Sequence, residues 1–143
     1  MNNTTQIKVT LEQEDDYAFR IRFDDTTLAP LLSDEPAPLG QDRGPNPARL
    51  LLASVANCLV ASLLFALRKQ HNQPGKLCAQ ITAVPMRNAE GRWRIAQAFV
   101  ELQLPDGNEH YQRLDRVLEQ FEQFCIVTQS VREGVSVDVK IVD

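Results

Sequence analysis

Apolar and polar positions alternate near the start of the chain. Ile7, Val9 and Leu11 fall on one side and Lys8, Thr10 and Glu12 on the other, the two-residue period of a half-buried strand. Acidic Glu14, Asp15 and Asp16 make a turn, after which Tyr17, Phe19, Ile21 and Phe23 form an apolar face opposite Arg20, Arg22 and Asp24. The two runs predict a hairpin. Residues 26–45 carry Pro30, Pro36, Pro38, Gly40, Gly44 and Pro45 with few periodic apolar positions, which predicts a long irregular loop of the kind that often carries function. Asn46 and Pro47 then open a helix, the first as a cap for free N–H groups and the second as a residue whose missing N–H costs nothing there. That helix is expected to run to about Lys69.

Pro74-Gly75 breaks the pattern, and strands are expected over Leu77–Arg87 and Arg92–Leu104, joined through Asn88-Ala89-Glu90-Gly91 as a second hairpin. Pro105-Asp106-Gly107-Asn108 turns into a helix whose Leu114, Val117, Leu118 and Phe121 keep the spacing of one buried stripe. Residues 126–133 add one or two helical turns ended by Gly134, and Val135, Val137, Val139 and Ile141 alternate with Ser136, Asp138 and Lys140 as a final strand. The order predicts one α+β domain over residues 1–143, with two hairpins and a C-terminal strand around a long central helix.

No residue from Leu50 to Leu67 is charged. Length alone would permit a membrane span, but Ser54, Asn57 and Ser62 interrupt the run and every other element is an amphipathic piece of a water-soluble core. A helix apolar all round needs cover on all sides. A domain this small buries only about two-thirds of the surface of its unfolded chain, so a second copy is expected to supply the cover in a homodimer with this helix near the interface.

Composition narrows the function. In 143 residues, 43% are hydrophobic and 24% charged, enough for one real core. A net charge of -4 and a pI near 5.2, with no basic cluster, exclude a nucleic-acid surface as the main business. The polar opening Met1–Gln6 lacks the basic start and apolar centre of a secretory signal, which places the expected site of action in the cytoplasm. Three cysteines, Cys58, Cys78 and Cys125, are odd in number and widely spaced, fitting neither a disulfide framework nor paired zinc ligands. No metal or cofactor is expected.

Cys58 lies in the apolar helix, with small Ser54, Val55, Ala61 and Ser62 one turn away; free cysteine commonly serves there as a small hydrophobe. It is more than two turns inside its own helix, so that helix's dipole does little for it. Cys125 stands where a short helix begins, and by this local argument it is the more acidic thiol. Cys78, on a strand face with Gln80 and Thr82, is expected to be partly buried and without a role. His71 and His110 are expected on the surface, and their spacing from the cysteines builds no triad.

Gly44-Pro45-Asn46-Pro47, the leucine-rich helix with Cys58, and Phe124-Cys125-Ile126-Val127-Thr128 with Ser130 and Gly134 before a terminal strand resemble the OsmC/Ohr superfamily. This group includes osmotically inducible protein C and the organic hydroperoxide resistance proteins. The resemblance covers nearly the whole chain and implies an α+β fold, an intertwined homodimer, a peroxidatic Cys58 that forms a sulfenic acid, and a resolving Cys125. It overrules the local preference for Cys125 as nucleophile. It also implies re-reduction by a dithiol donor. A dry pocket preserves a sulfenic acid and suits the organic tail of a hydroperoxide.

The chain departs from that pattern in two places. The family's peroxidases carry a Glu directly after Asn-Pro, where this chain has Ala48 followed by Arg49, and an activating Arg in the first hairpin turn, which here reads Glu12-Gln13-Glu14-Asp15-Asp16. Arg20, Arg22 or Arg43 are the candidate replacement cations, and Asp34 or Glu35 the candidate carboxylates. The leading expectation is a thiol-dependent peroxidase for organic hydroperoxides. The alternative is a non-catalytic relative that binds a small apolar ligand in the dimer pocket.

Overall fold

The opening alternation produces a three-stranded antiparallel sheet of β1 (Val9–Asp15), β2 (Ala18–Phe23) and β3 (Leu31–Ser33), in the order β1-β2-β3. The computed structural model describes residues 5–142. Pairing of Glu12 with Arg20 and of Leu11 with Ile21 sets the register of the first hairpin, and Asp16 at φ 54° makes its tight turn. Glu14 accepts from Arg20 Nε at 2.8 Å and Glu12 lies 3.3 Å from Arg22 Nε, so the acidic and basic faces of the hairpin neutralise one another. β3 corrects the expectation of an unbroken loop over residues 26–45. Its three residues pair Ser33 with Phe19 and Leu31 with Ile21, and a strand this short leaves no periodicity to read.

The remainder of that loop is organised by one carboxylate. Asp34, 2% exposed, accepts the backbone N–H groups of Glu35 (2.8 Å), Gln41 (3.2 Å) and Arg43 (3.2 Å) and the Arg43 Nε (3.3 Å). Burial pushes its pKa up, but these hydrogen bonds outweigh burial and hold it below the usual carboxylate range. A side chain at Gly44 would collide with the Leu32 carbonyl, so the return toward the helix requires glycine.

α1 (Pro47–Lys69) starts as predicted, with the Arg49 N–H donating to Asn46 Oδ1 at 3.0 Å. Its end is a Schellman motif in which His71, at φ 65°, takes the place usually given to glycine. The His71 N–H reaches the Arg68 carbonyl and the Asn72 N–H the Leu67 carbonyl, both at 3.0 Å. The buried Asn72 side chain then forms a clamp, donating to the carbonyls of Leu67 (3.2 Å) and Gln112 (3.0 Å) and accepting the Gln112 N–H at 2.7 Å. Contacts divide the chain into two compact units, one up to Leu51 and one from Leu52, with the border inside α1.

In the second unit, β4 (Cys78–Arg87) and β5 (Trp93–Gln103) pair as the predicted antiparallel hairpin. Gly91 at φ 78° shapes its tip and the Arg87 guanidinium stacks 4.3 Å above the Trp93 ring. α2 (Leu114–Gln120), a 3-10 turn (Phe121–Phe124) and α3 (Ile126–Glu133) follow, and Gly134 at φ 76° ends α3 as expected. The core joins Val55, Leu59, Leu63 and Leu67 of α1 to Val117, Phe121 and Cys125. Leu118, expected in the buried stripe, is 49% exposed because α2 closes after two turns and presents mainly Val117 inward.

One further expectation about secondary structure fails within the single chain. The segment after Gly134 is not a strand among the described residues: Val135, Val137, Val139 and Ile141 are 66, 75, 83 and 94% exposed and have no strand to pair with. α1 is not buried all round in the single chain, which is what the sequence argument expected of one domain this small. Val55, Ala56, Leu59, Leu63 and Leu67 are covered, while Leu51 and Phe65 are 41% and 64% exposed. One chain of this size does not hold enough material to wrap the helix. Ile7, Val9 and Leu11 of the opening alternation are likewise exposed.

Candidate functional site

The second unit brings Cys58 and Cys125 face to face. Cys58 projects from the middle of α1 and is half-buried against the core; Cys125 is fully buried within it, and both are free thiols. Cys125 sits at the position before α3, where its carbonyl accepts the Gln129 N–H at 3.0 Å as the first bond of that helix. The Cys125 thiol donates to Thr128 Oγ1 at 3.0 Å, three residues on. Thr128 is itself buried. The Thr128 N–H faces the same sulfur without reaching capping geometry, so it acts on charge there rather than as a cap.

The two thiols are shifted in opposite directions. Burial pushes the Cys58 thiol up, and its donation toward Cys125 holds the proton further; the N–H groups of Val127 and Thr128 pull the other way but do not prevail. Burial also pushes Cys125 up, yet donation from Cys58, from the Thr128 hydroxyl and N–H, and from Ser62 outweighs it, and the net shift is downward. A hydroxyl rotates, so Thr128 accepts from the neutral thiol and donates to the thiolate. The local sequence argument that Cys125 is the more acidic thiol agrees with this direction. The dipole that bears on Cys58 belongs to α3 and not to its own helix, which only tertiary packing could reveal.

Thr128 and Ser62 are the residues that reading by residue type passed over. Their signals were present: Cys125 and Thr128 stand in the spacing of a helix cap and the third helical residue, and Ser62 lies one turn after Cys58 on the same face of α1. Cys78 is exposed, not partly buried as expected, because its strand face is uncovered in the single chain. His71 and His110 are on the surface as expected. Among the described residues, no group of three His, Cys, Asp or Glu side chains could hold a metal ion.

The candidate replacement charges are engaged within the first unit. Arg20 pairs with Glu14, Arg22 with Glu12, and Arg43 with both Asp34 (3.3 Å) and Asp15 (3.6 Å). Asp34 is committed to its loop, and Glu35 Oε2 accepts from Asn46 Nδ2 at 3.4 Å. An open groove of about 680 Å³ runs along the α1 stripe of Asn57, Val60, Ala61 and Leu64, with Arg68 and the segment Pro74–Leu77 also lining it.

Comparison with known proteins gives this arrangement a family. The sequence profile described as OsmC-like protein matches residues 40–140. No curated protein sequence matches the chain. Among solved structures, an OsmC-like protein of Vibrio cholerae superposes with a TM-score of 0.72 at 13% identity, covering 89% of this chain and 94% of its own. An OsmC-like protein of Mycoplasma pneumoniae gives 0.71 at 14% identity, covering 90% and 88%. The organic hydroperoxide resistance protein OhrB of Bacillus subtilis gives 0.60 at 20% identity, covering 88% and 90%. At these identities the superpositions establish the shared α+β fold.

Proposed function

The chain belongs to the OsmC-like protein family, and from that premise we propose that it is a thiol-dependent peroxidase that reduces organic hydroperoxides. The observation that carries the reading is the placement of two reduced thiols against one another at the edge of an apolar core, one half-buried and one fully buried. Cys58, the sulfur within reach of a substrate, attacks the peroxide oxygen and becomes a sulfenic acid, and Cys125 resolves it as a disulfide. A cytoplasmic dithiol donor returns both to the thiol state. The likeness to the Bacillus subtilis organic hydroperoxide resistance protein supports the substrate class. Because the family match crosses the border between the two units, we treat residues 1–143 as one domain.

The protein works as a homodimer in this reading. Support comes from the apolar positions left open in one chain: Val135, Val137, Val139 and Ile141 after α3, Ile7 and Leu11 at the start, and Phe65 on α1. A second copy of the chain supplies the matching surface. Mixing the reduced protein with cumene hydroperoxide should consume peroxide and yield a disulfide that peptide mass spectrometry assigns to Cys58 and Cys125. Cys58→Ser should abolish consumption, and full turnover in that variant would rule the mechanism out.

One observation favours a second reading, that of a non-catalytic relative that binds a small apolar ligand. Ala48 stands where the family's peroxidases carry Glu, and the candidate arginines are spent on local carboxylates. This reading predicts thiols inert to peroxide at neutral pH and thermal stabilisation by an apolar ligand.

A further inference from the structure

The accessible sulfur and the sulfur best able to carry charge are different atoms. Cys58 is half-buried and open to an incoming molecule, whereas Cys125 is fully buried and holds two hydroxyl partners, Thr128 Oγ1 at 3.0 Å and Ser62 from the opposite helix, while N–H groups at the start of α3 face both sulfurs. Both hydroxyls can turn to donate, and the N–H groups at the start of α3 add partial positive charge. The remaining neighbours are apolar, among them Leu59, Leu63, Val117 and Phe121. Charged side chains on the packed elements point elsewhere: Glu122 pairs with Arg132 at 2.7 Å, and Asp115, Arg116 and Glu119 of α2, Glu133 of α3, Arg87 of β4 and Arg94 and Glu101 of β5 are exposed. A reaction at Cys58 therefore needs a way to bring charge forward.

We propose that Cys58 and Cys125 act as a thiol–thiolate pair sharing one proton, with the charge resting on Cys125 under the hold of Thr128 and Ser62 until substrate reaches Cys58. This rests on the peroxidase reading above and supplies what the absent Glu and hairpin Arg leave open. The proton passes from the Cys58 sulfur to the Cys125 sulfur, giving a Cys58 thiolate. That thiolate attacks the terminal oxygen of the hydroperoxide; the S–O bond forms, the O–O bond breaks, and an alkoxide departs. The Cys125 thiol returns the proton to the alkoxide, which leaves as an alcohol. The regenerated Cys125 thiolate then attacks the sulfenic sulfur, forming the disulfide and expelling hydroxide. Two electrons have moved from the pair of sulfurs to the peroxide, and the net charge is unchanged. One sulfur serves in turn as base, acid and resolving nucleophile. Thr128 and Ser62 are positioning residues, since they act through Cys125.

The test needs no peroxide. In a Cys78→Ser background, which removes the exposed thiol, ultraviolet thiolate absorbance is followed against pH together with the rate of iodoacetamide alkylation at Cys58, located by mass spectrometry. The expected result is one thiolate appearing below the ordinary cysteine value of about 8.5 and the second above it, with Cys58 alkylation following the lower midpoint. Thr128→Val removes one charge-assisted hydrogen bond from the Cys125 thiolate, so it should raise that midpoint and, because less charge then rests on Cys125, raise the Cys58 alkylation plateau above the midpoint about tenfold, while Thr128→Ser restores both. Ser62→Ala should move them in the same direction by less, and it keeps the test alive if Thr128→Val does not fold. Two thiols that both ionise at or above about 8.5, or a profile indifferent to Thr128→Val and Ser62→Ala, would overturn the pair. A split titration without peroxide turnover overturns the peroxidase reading alone, and turnover with an unsplit titration overturns this inference alone.

Discussion

Replacing Val137 and Val139 by serine tests whether a second copy of the chain completes the fold. In one chain these side chains are 75% and 83% exposed, so the double variant should leave a monomer's stability within about 0.5 kcal/mol. If a partner covers them, the exposed share is what the dimer gains. A fully buried valine contributes about 1.5 kcal/mol at the low end, which makes the two worth about 2.4 kcal/mol per segment. An interface with two-fold symmetry uses the segment twice, so the loss is about 5 kcal/mol, or more than three powers of ten in the dimer dissociation constant. Sedimentation equilibrium across a dilution series reads this directly. The wild-type chain should sediment as a dimer and the double variant as a monomer at the same concentration. A dissociation constant unchanged by the substitutions would refute the reasoning, as would a wild-type chain that is monomeric throughout.

Other outcomes follow from single contacts. Leu67→Ala empties a fully buried core position and should cost about 2–5 kcal/mol, measured by denaturant unfolding. Asn46→Ala removes the cap of α1 and should cost about 1 kcal/mol, lowering the thermal midpoint by a few degrees. Asp34 has its pKa depressed by the hydrogen bonds of its loop, so its contribution is present above the unfolded value of about 3.9 and is lost as pH falls through the folded value. The thermal midpoint of the wild type should therefore exceed that of Asp34→Asn at neutral pH, and the gap should close below about pH 3.9. A gap that stays constant down to acid unfolding would remove Asp34 from that role.

Much of this fold is written in periodicity. The alternation around Phe19 and Ile21, the Asn46-Pro47 start of α1, the Asn88–Gly91 tip and the stop at Gly134 each rest on a few adjacent residues, and all appear where the pattern put them. Short pairing is harder to read: β3 has three residues and exists because Phe19 and Ile21 have a free edge beside them. The segment from Val135 shows the opposite limit, since alternation announces a strand but not the chain that pairs with it. At the thiols, the sequence carried both cysteines and the cap position of Cys125. That Ser62 and the start of α3 act on them depends on packing across α1, which local spacing does not encode.

The Asn72 clamp also makes β4 and β5 an excursion with a tied base. Residues 73–111 leave and return where the Asn72 amide grips Gln112, and a second tie lies just beyond it, where the Gly75 N–H reaches Asp106 Oδ2 at 2.9 Å. The far tip at Asn88–Gly91 is closed by its own hydrogen bonds. Changes in hairpin length are thus absorbed between tip and base, and the spacing of the two sulfur-bearing helices is insulated from them. Near its base the hairpin packs Ile81, Val100 and Leu102 against the core, so the freedom to lengthen or carry an insertion lies at the tip, and a spacer grafted there should leave the reactivity of Cys58 where it was.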